Sequence, residues 1–141
     1  MRTEPGIVFE RRFQNKLEEL NRVSAEAKQF LAQHEIRQHA AYVADLAIEE
    51  IGTNILKYAY HDSATHEIRL RLEIVSGQLL LALEDDGRPF NPVAAPEPNV
   101  RLPIQERVPG GLGIHLVRKL VDQIVYRRRD RLNRLTLNIG L

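Results

Sequence analysis

Leu17, Leu20, Val23, Ala27, Phe30 and Leu31 recur at helical spacing, which predicts a helix from Asn15 to about His34. A second, longer helix is predicted from about Ile36 to Tyr60, interrupted only by Gly52, before His61-Asp62-Ser63 supplies turn chemistry. The period then changes. In HEIRLRLEIV (66–75), Ile68, Leu70, Leu72 and Ile74 alternate with Glu67, Arg69, Arg71 and Glu73, the pattern of a strand with one wet face. Ser76-Gly77 turns the chain into QLLLALEDD (78–86), which completes an antiparallel hairpin. PGIVFERRF (5–13) suggests a first strand, GIHLVRKLVD (113–122) a third helix, and QIVYRRR and RLTLNIGL two last strands.

Between Gly87 and Gly113 the periodicity fades, and Pro89, Pro92, Pro96, Pro98, Pro103 and Pro109 accumulate. A segment this long without regular structure is usually a lid or binding loop. Strands grouped in hairpins, with too few helices to cover both sheet faces, argue an α+β two-layer sandwich. The expected sheet is mixed but mostly antiparallel, with helices on one face, in a single domain over 1–141.

Composition narrows the function by exclusion. Lys and Arg total 20 against 19 Asp and Glu, a net of +1, so bulk charge points to neither nucleic acid nor membrane. The basic cluster Arg127-Arg128-Arg129 with Arg131 and Arg134 reads as a solvated strand end and hairpin turn. Cysteine is absent, which removes thiolate catalysis and cysteine-ligated zinc. No apolar run is long enough to span a bilayer, and MRTEPGIVFERR has no signal-peptide core, so a cytoplasmic location is the expectation.

The candidate chemistry lies on the second helix. On the helical wheel Glu50, Asn54, Lys57 and His61 share a stripe within about 60°, while Ala44, Ile48, Ile51, Ile55 and Ala59 gather roughly opposite. LEDDGRPFNP (83–92) ends a strand in carboxylates beside Gly87, where backbone can approach a flat ring. VPGGLGIHLVRKLVD (108–122) places Gly110, Gly111 and Gly113 before a helix, an arrangement suited to phosphate.

In this order, Glu50-x-x-x-Asn54, Asp85-x-Gly87 and Gly111-x-Gly113 resemble the N, G1 and G2 boxes of the GHKL ATPase superfamily. DDGRPFNP and GGLGIHLVRKLVD look most like anti-sigma-factor serine kinases of the RsbW and SpoIIAB type. The resemblance implies a Bergerat-type ATP-binding fold, ATP and Mg2+ as cofactors, and protein-serine kinase activity. It implies Asn54 as the magnesium ligand, Glu50 as the general base with Glu49 as runner-up, and Asp85 as the adenine-reading carboxylate. Gly87 would let the chain pass the ring. Gly110, Gly111, Leu112 and Gly113 would wrap the phosphates under a lid at about 94–110, with Lys57 a further phosphate contact. Thr136 would support the adenine contact. The chain departs from the pattern at Pro89, where a second G1 glycine is usual, and near Pro109, where some relatives carry a γ-phosphate arginine and Arg107 is the nearest candidate. The implied partners are a sigma factor and a STAS-domain anti-anti-sigma factor, and a homodimer is allowed. Two alternatives stand beside this reading: a non-catalytic ATP-dependent switch, and a detached histidine-kinase-like ATPase domain.

Overall fold

The computed structural model of the chain describes residues 6–94 and 111–141. Its elements run β1 (Ile7–Gln14), α1 (Leu17–Gln33), α2 (Gln38–Tyr58), β2 (Glu67–Val75), β3 (Gln78–Asp85), α3 (Gly111–Leu120), β4 (Gln123–Arg129) and β5 (Leu132–Gly140). The predicted succession of strand, two helices, hairpin, helix and hairpin is present. Three boundaries differ in ways that matter. Helix α2 closes at Tyr58, so His61 lies beyond the polar stripe. Helix α3 opens at Gly111, which puts Gly111 and Gly113 inside its first turn and not ahead of it. Strand β5 begins at Leu132 and therefore includes Asn133.

Both hairpins close with two-residue turns. Ser76 and Gly77 have φ of 50° and 76°, and Asp130 and Arg131 have φ of 53° and 67°. Left-handed residues at both turn positions match the twist of antiparallel strands. The sheet order is β1-β2-β3-β5-β4. Every pairing is antiparallel, so the expected parallel component is not found among the described residues. The reason is topological: β4 runs in the same direction as β3, but β5 lies between them.

One face of the sheet carries Phe9, Phe13, Ile68, Leu70, Leu81 and Leu137 into the core, where they are buried with Leu20, Val23, Ile48 and Ile51 of the helices. Burying such side chains contributes about 1.5–3 kcal/mol each relative to exposure. Gly52, the one glycine inside α2, has a packing reason. A Cβ there would lie 2.7 Å from Leu20 Cδ1, so its absence lets α1 seat against α2. The other sheet face carries no helix among the described residues, and ion pairs such as Arg69–Glu10 and Arg134–Glu84 lie across it. The apolar inner rows of β3 and β5 end together, at Asp85 opposite Asn133. That polar break in a buried row positions the site.

Candidate functional site

Asp85 is the last residue of β3 and is 2% exposed. An ionised carboxylate this deep is unfavourable unless hydrogen-bonded. Its Oδ1 accepts from the Gly87 amide at 2.9 Å and from Asn133 Nδ2 at 2.9 Å. Oδ2 has no partner among the described residues. Burial pushes the Asp85 pKa above its ordinary value, and the Asn133 and Gly87 hydrogen bonds oppose that rise. A carboxylate held by one oxygen can offer the other to an amine. Gly87 is required by close approach: a Cβ there would overlap the Ala59 carbonyl oxygen, which also accepts from the Arg88 amide at 2.8 Å. The end of β3 is thereby pinned to the end of α2.

The sequence reading missed the residues that hold Asp85. Asn133, also 2% exposed, donates through Nδ2 to the Arg88 carbonyl at 2.7 Å as well as to Asp85. Its Oδ1 accepts from the Tyr126 hydroxyl, from Arg128 Nη1 at 3.2 Å and from the Phe90 amide at 3.3 Å. Arg128 Nη1 also donates to the Gly87 carbonyl at 2.7 Å. The signal was available: the inner-facing parity of Leu135, Leu137 and Ile139 extends back to Asn133. Arg128 likewise shares parity with Ile124 and Tyr126.

Against Pro92, further along the chain from Gly87, stands Asn54, 8% exposed on α2. Its Nδ2 donates to the Pro92 carbonyl at 3.1 Å. The carboxamide is thereby oriented, and Oδ1 has no partner among the described residues. A neutral oxygen fixed this way fits a hard cation that takes its remaining ligands from water and phosphate. No cluster of three acidic, His or Cys side chains suited to a metal occurs among the described residues. One turn earlier, the Glu50 carboxylate lies against Gly113, where a Cβ would overlap it. Glu50 and the first turn of α3, two of the three predicted motifs, are thus in direct contact.

Other expected positions are not brought in. Thr136 pairs with Ala82 and Val125 on the helix-free face, because it lies an odd number of residues from inward-facing Asn133. It cannot support Asp85; Asn133 does. Lys57 is exposed and near the helix end. Arg107, Gly110 and nearly all of the expected lid lie outside the described residues. Gly111 and Leu112 are described as backbone of α3.

Beside Gly87, a cleft of about 260 Å³ is lined by residues including Tyr60, Asp62, His66 and Asp86. His66 is gripped by Asp62 through Nε2 at 2.7 Å and by Asp86 through Nδ1 at 3.1 Å. The Asp62 hydrogen bond raises the His66 pKa, and the His66 bond lowers that of Asp62. Tyr60 stacks on the imidazole at 4.3 Å between centroids. Its buried hydroxyl lacks a hydrogen-bond partner among the described residues, and burial foremost raises its pKa.

Residues 13–139 match the family model of the histidine kinase-like ATPase domain. The chain is similar to the serine/threonine-protein kinase BtrW of Bordetella bronchiseptica, at 29% identity over 96 residues, covering 68% of each chain. It is also similar to blue-light-activated histidine kinase 2 of Erythrobacter litoralis, at 38% identity over 78 residues, or 55% of this chain and 20% of that one. No helix among the described residues is long and apolar enough to cross a membrane.

Proposed function

The chain belongs to the histidine kinase-like ATPase domain family, and from that premise we propose that it is an ATP–Mg2+-dependent protein-serine kinase that also sequesters a regulatory protein. The observation that carries this is the contact of Glu50 with Gly113 beside a carboxamide, Asn54, whose oxygen is left free. A base, a metal ligand and a phosphate-facing helix start are then adjacent, and phosphoryl transfer asks the protein chiefly for positioning and charge neutralisation.

In this reading Asp85 accepts a hydrogen bond from the exocyclic amine of adenine through Oδ2. A base with a carbonyl at that position would set acceptor against acceptor, at a cost of about 1–3 kcal/mol. The carboxamide oxygen of Asn54 would hold the magnesium ion, which when bound would neutralise phosphate charge. The amides of α3's first turn face the phosphates. Glu50 takes the proton of the attacking serine hydroxyl. Lys57, Arg107, Gly110 and Leu112 remain candidates for phosphate contact. The proposed protein partners are a sigma factor, held in a complex, and a STAS-domain antagonist, which supplies the serine. The name of the Bordetella relative supports serine or threonine as acceptor.

The test is incubation with ATP, Mg2+ and a STAS-domain protein, followed by mass spectrometry for phosphoserine. The expected result is transfer by the parent chain and a loss of about 10²–10⁴-fold with Glu50→Gln at unchanged ATP affinity. ATP binding without transfer to any protein would favour a non-catalytic switch. The match to a histidine kinase motivates a second reading, an ATPase domain serving a phosphoacceptor histidine. Acid-labile phosphate on the acceptor, in place of acid-stable phosphoserine, would establish it.

A further inference from the structure

The basic cluster at 127–134 is divided by strand alternation. Arg128 points inward to Gly87 and Asn133, while Arg127, Arg129 and Arg134 lie on the helix-free face. Following the pairing register across that face gives one row through all five strands: Arg12↔Arg69↔Glu84↔Arg134↔Arg127. At a strand spacing of about 4.8 Å the row spans roughly 19 Å. It sets four arginines against one glutamate, and two of its cross-strand pairs are arginine facing arginine. Like charges directly opposite destabilise a sheet.

The two halves of the row are not equivalent. On the β1–β2 side, Arg12 pairs with Glu67, Arg69 with Glu10 and Glu84, and Arg71 with Glu10 and Glu73. On the β5–β4 side, Arg134 shares Glu84 with Arg69, Arg129 has only the exposed Asp130, and Arg127 has no ion pair among the described residues. Charge on the edge strand β4 guards against strand addition. That explains Arg127 and Arg129, but not Arg134 or Arg69 on interior strands.

Beside the arginines lies a small area in which apolar side chains (Leu80, Ala82, Val125) alternate with polar ones (Thr136, Asn138, Gln123). The next row inward from Arg134 and Arg127 is Ala82↔Thr136↔Val125, followed by Leu80↔Asn138. The Asn138 Oδ1 in this area is buried without a hydrogen-bond partner among the described residues. Half-buried apolar side chains beside arginines that share a carboxylate, hold an exposed one or lack one have the anatomy of a protein interface.

We propose that the β5–β4 half of the helix-free sheet face docks an acidic protein surface, whose carboxylates pair with Arg127, Arg129 and Arg134 while apolar side chains cover the half-buried Leu80 and Val125. Guanidinium forks suit carboxylates in bidentate geometry. The carboxylates of Glu84, Glu10 and Glu73 on the same face repel a continuous polyphosphate, which disfavours nucleic acid. A second copy of the chain is a poor occupant, because the β1–β2 half has already paired its acidic groups internally.

The test uses fluorescence anisotropy with the full chain and three labelled probes: a helical peptide bearing glutamates beside leucines, its lysine counterpart, and a single-stranded oligonucleotide. The acidic peptide is expected to bind with an affinity that falls as salt rises. Arg127→Ser/Arg134→Ser should weaken it at least tenfold while leaving ATP binding unchanged, and Arg12→Ser should change it less than threefold. Failure of the acidic peptide to bind, or equal binding by the double variant, overturns the proposal. So does tighter binding of the oligonucleotide that the double variant abolishes, or a parent dimer in sedimentation that the same variant disperses. Because ATP affinity is read in parallel, this result is separable from the fate of the kinase reading.

Discussion

The Asp85 side and the Asn54 side of the candidate site are built on different plans. At Asp85 the fold supplies a closed network, in which Asn133 alone joins Asp85, Arg88, Phe90, Tyr126 and Arg128. At Asn54 it supplies one oriented carboxamide, and at Glu50 a carboxylate against a glycine, with acceptor atoms left over. An end held by so many hydrogen bonds, with Asp85 Oδ2 as its spare acceptor, would recognise a base without reorganisation. An end with a single internal hydrogen bond would be finished by what binds there. In the proposed function, the difference separates recognition from chemistry along one ligand.

The sharpest way to break that separation is Asp85→Asn. We expect adenosine and ATP to lose affinity alike, by roughly ten- to a hundredfold in calorimetry, since a carboxamide nitrogen would oppose the amine and leave a buried group unpaired. If ATP lost far less than adenosine, the phosphates would carry recognition and the contrast would fail. Next in size, Asn133→Ala should lower unfolding stability by about 1–3 kcal/mol, because buried partners at both ends of the amide lose their hydrogen bonds. Thermal melts read this directly, with adenosine affinity falling in step. Gly113→Ala introduces a methyl into the Glu50 carboxylate and should cost about 1–3 kcal/mol from overpacking. Unlike Asn133→Ala, it should spare adenosine binding and slow phosphoryl transfer. Asn54→Ala should leave adenosine untouched and remove only the magnesium dependence of ATP affinity.

The smallest expected effect concerns His66, beside the base end. Its folded pKa is raised above the ordinary 6.5, chiefly by Asp62, so its contribution is fully present below 6.5 and is lost as pH rises through the folded value. Asp62 is shifted the other way, so its share is present above 3.8 and lost as pH falls through its depressed folded value. The melting-temperature difference between the parent and His66→Gln should therefore be greatest between those limits. A difference independent of pH would mean that stacking on Tyr60, not charge, holds the imidazole.

Much of this was legible from residue order because period and chemistry coincide. The switch from helical to alternating spacing at Glu67–Val75 marks β2, and Asp85, Gly87, Glu50, Asn54 and Gly113 announce themselves by type and position. What could not be read was parity at a strand's start. Taking β5 from Arg134 left Asn133 outside the strand, and Thr136 drew attention as the polar residue within it, although alternation turns it away from Asp85. Arg128 was hidden for a related reason: within a run of like charges, composition says water, and only pairing says which member faces inward. Sheet order was equally out of reach, since β5 entering between β3 and β4 is decided by long-range contact.

That insertion leaves β4 at the edge, with Arg128 directed one way and Arg127 the other. A strand's side chains exchange faces whenever its alignment slips by a single residue. Here such a slip would withdraw the anchor from Gly87 and carry a surface charge into its place. The tight reversal at Asp130-Arg131, both in left-handed conformation, fixes the count between the two strands and so guards the proposed nucleotide site from a distance.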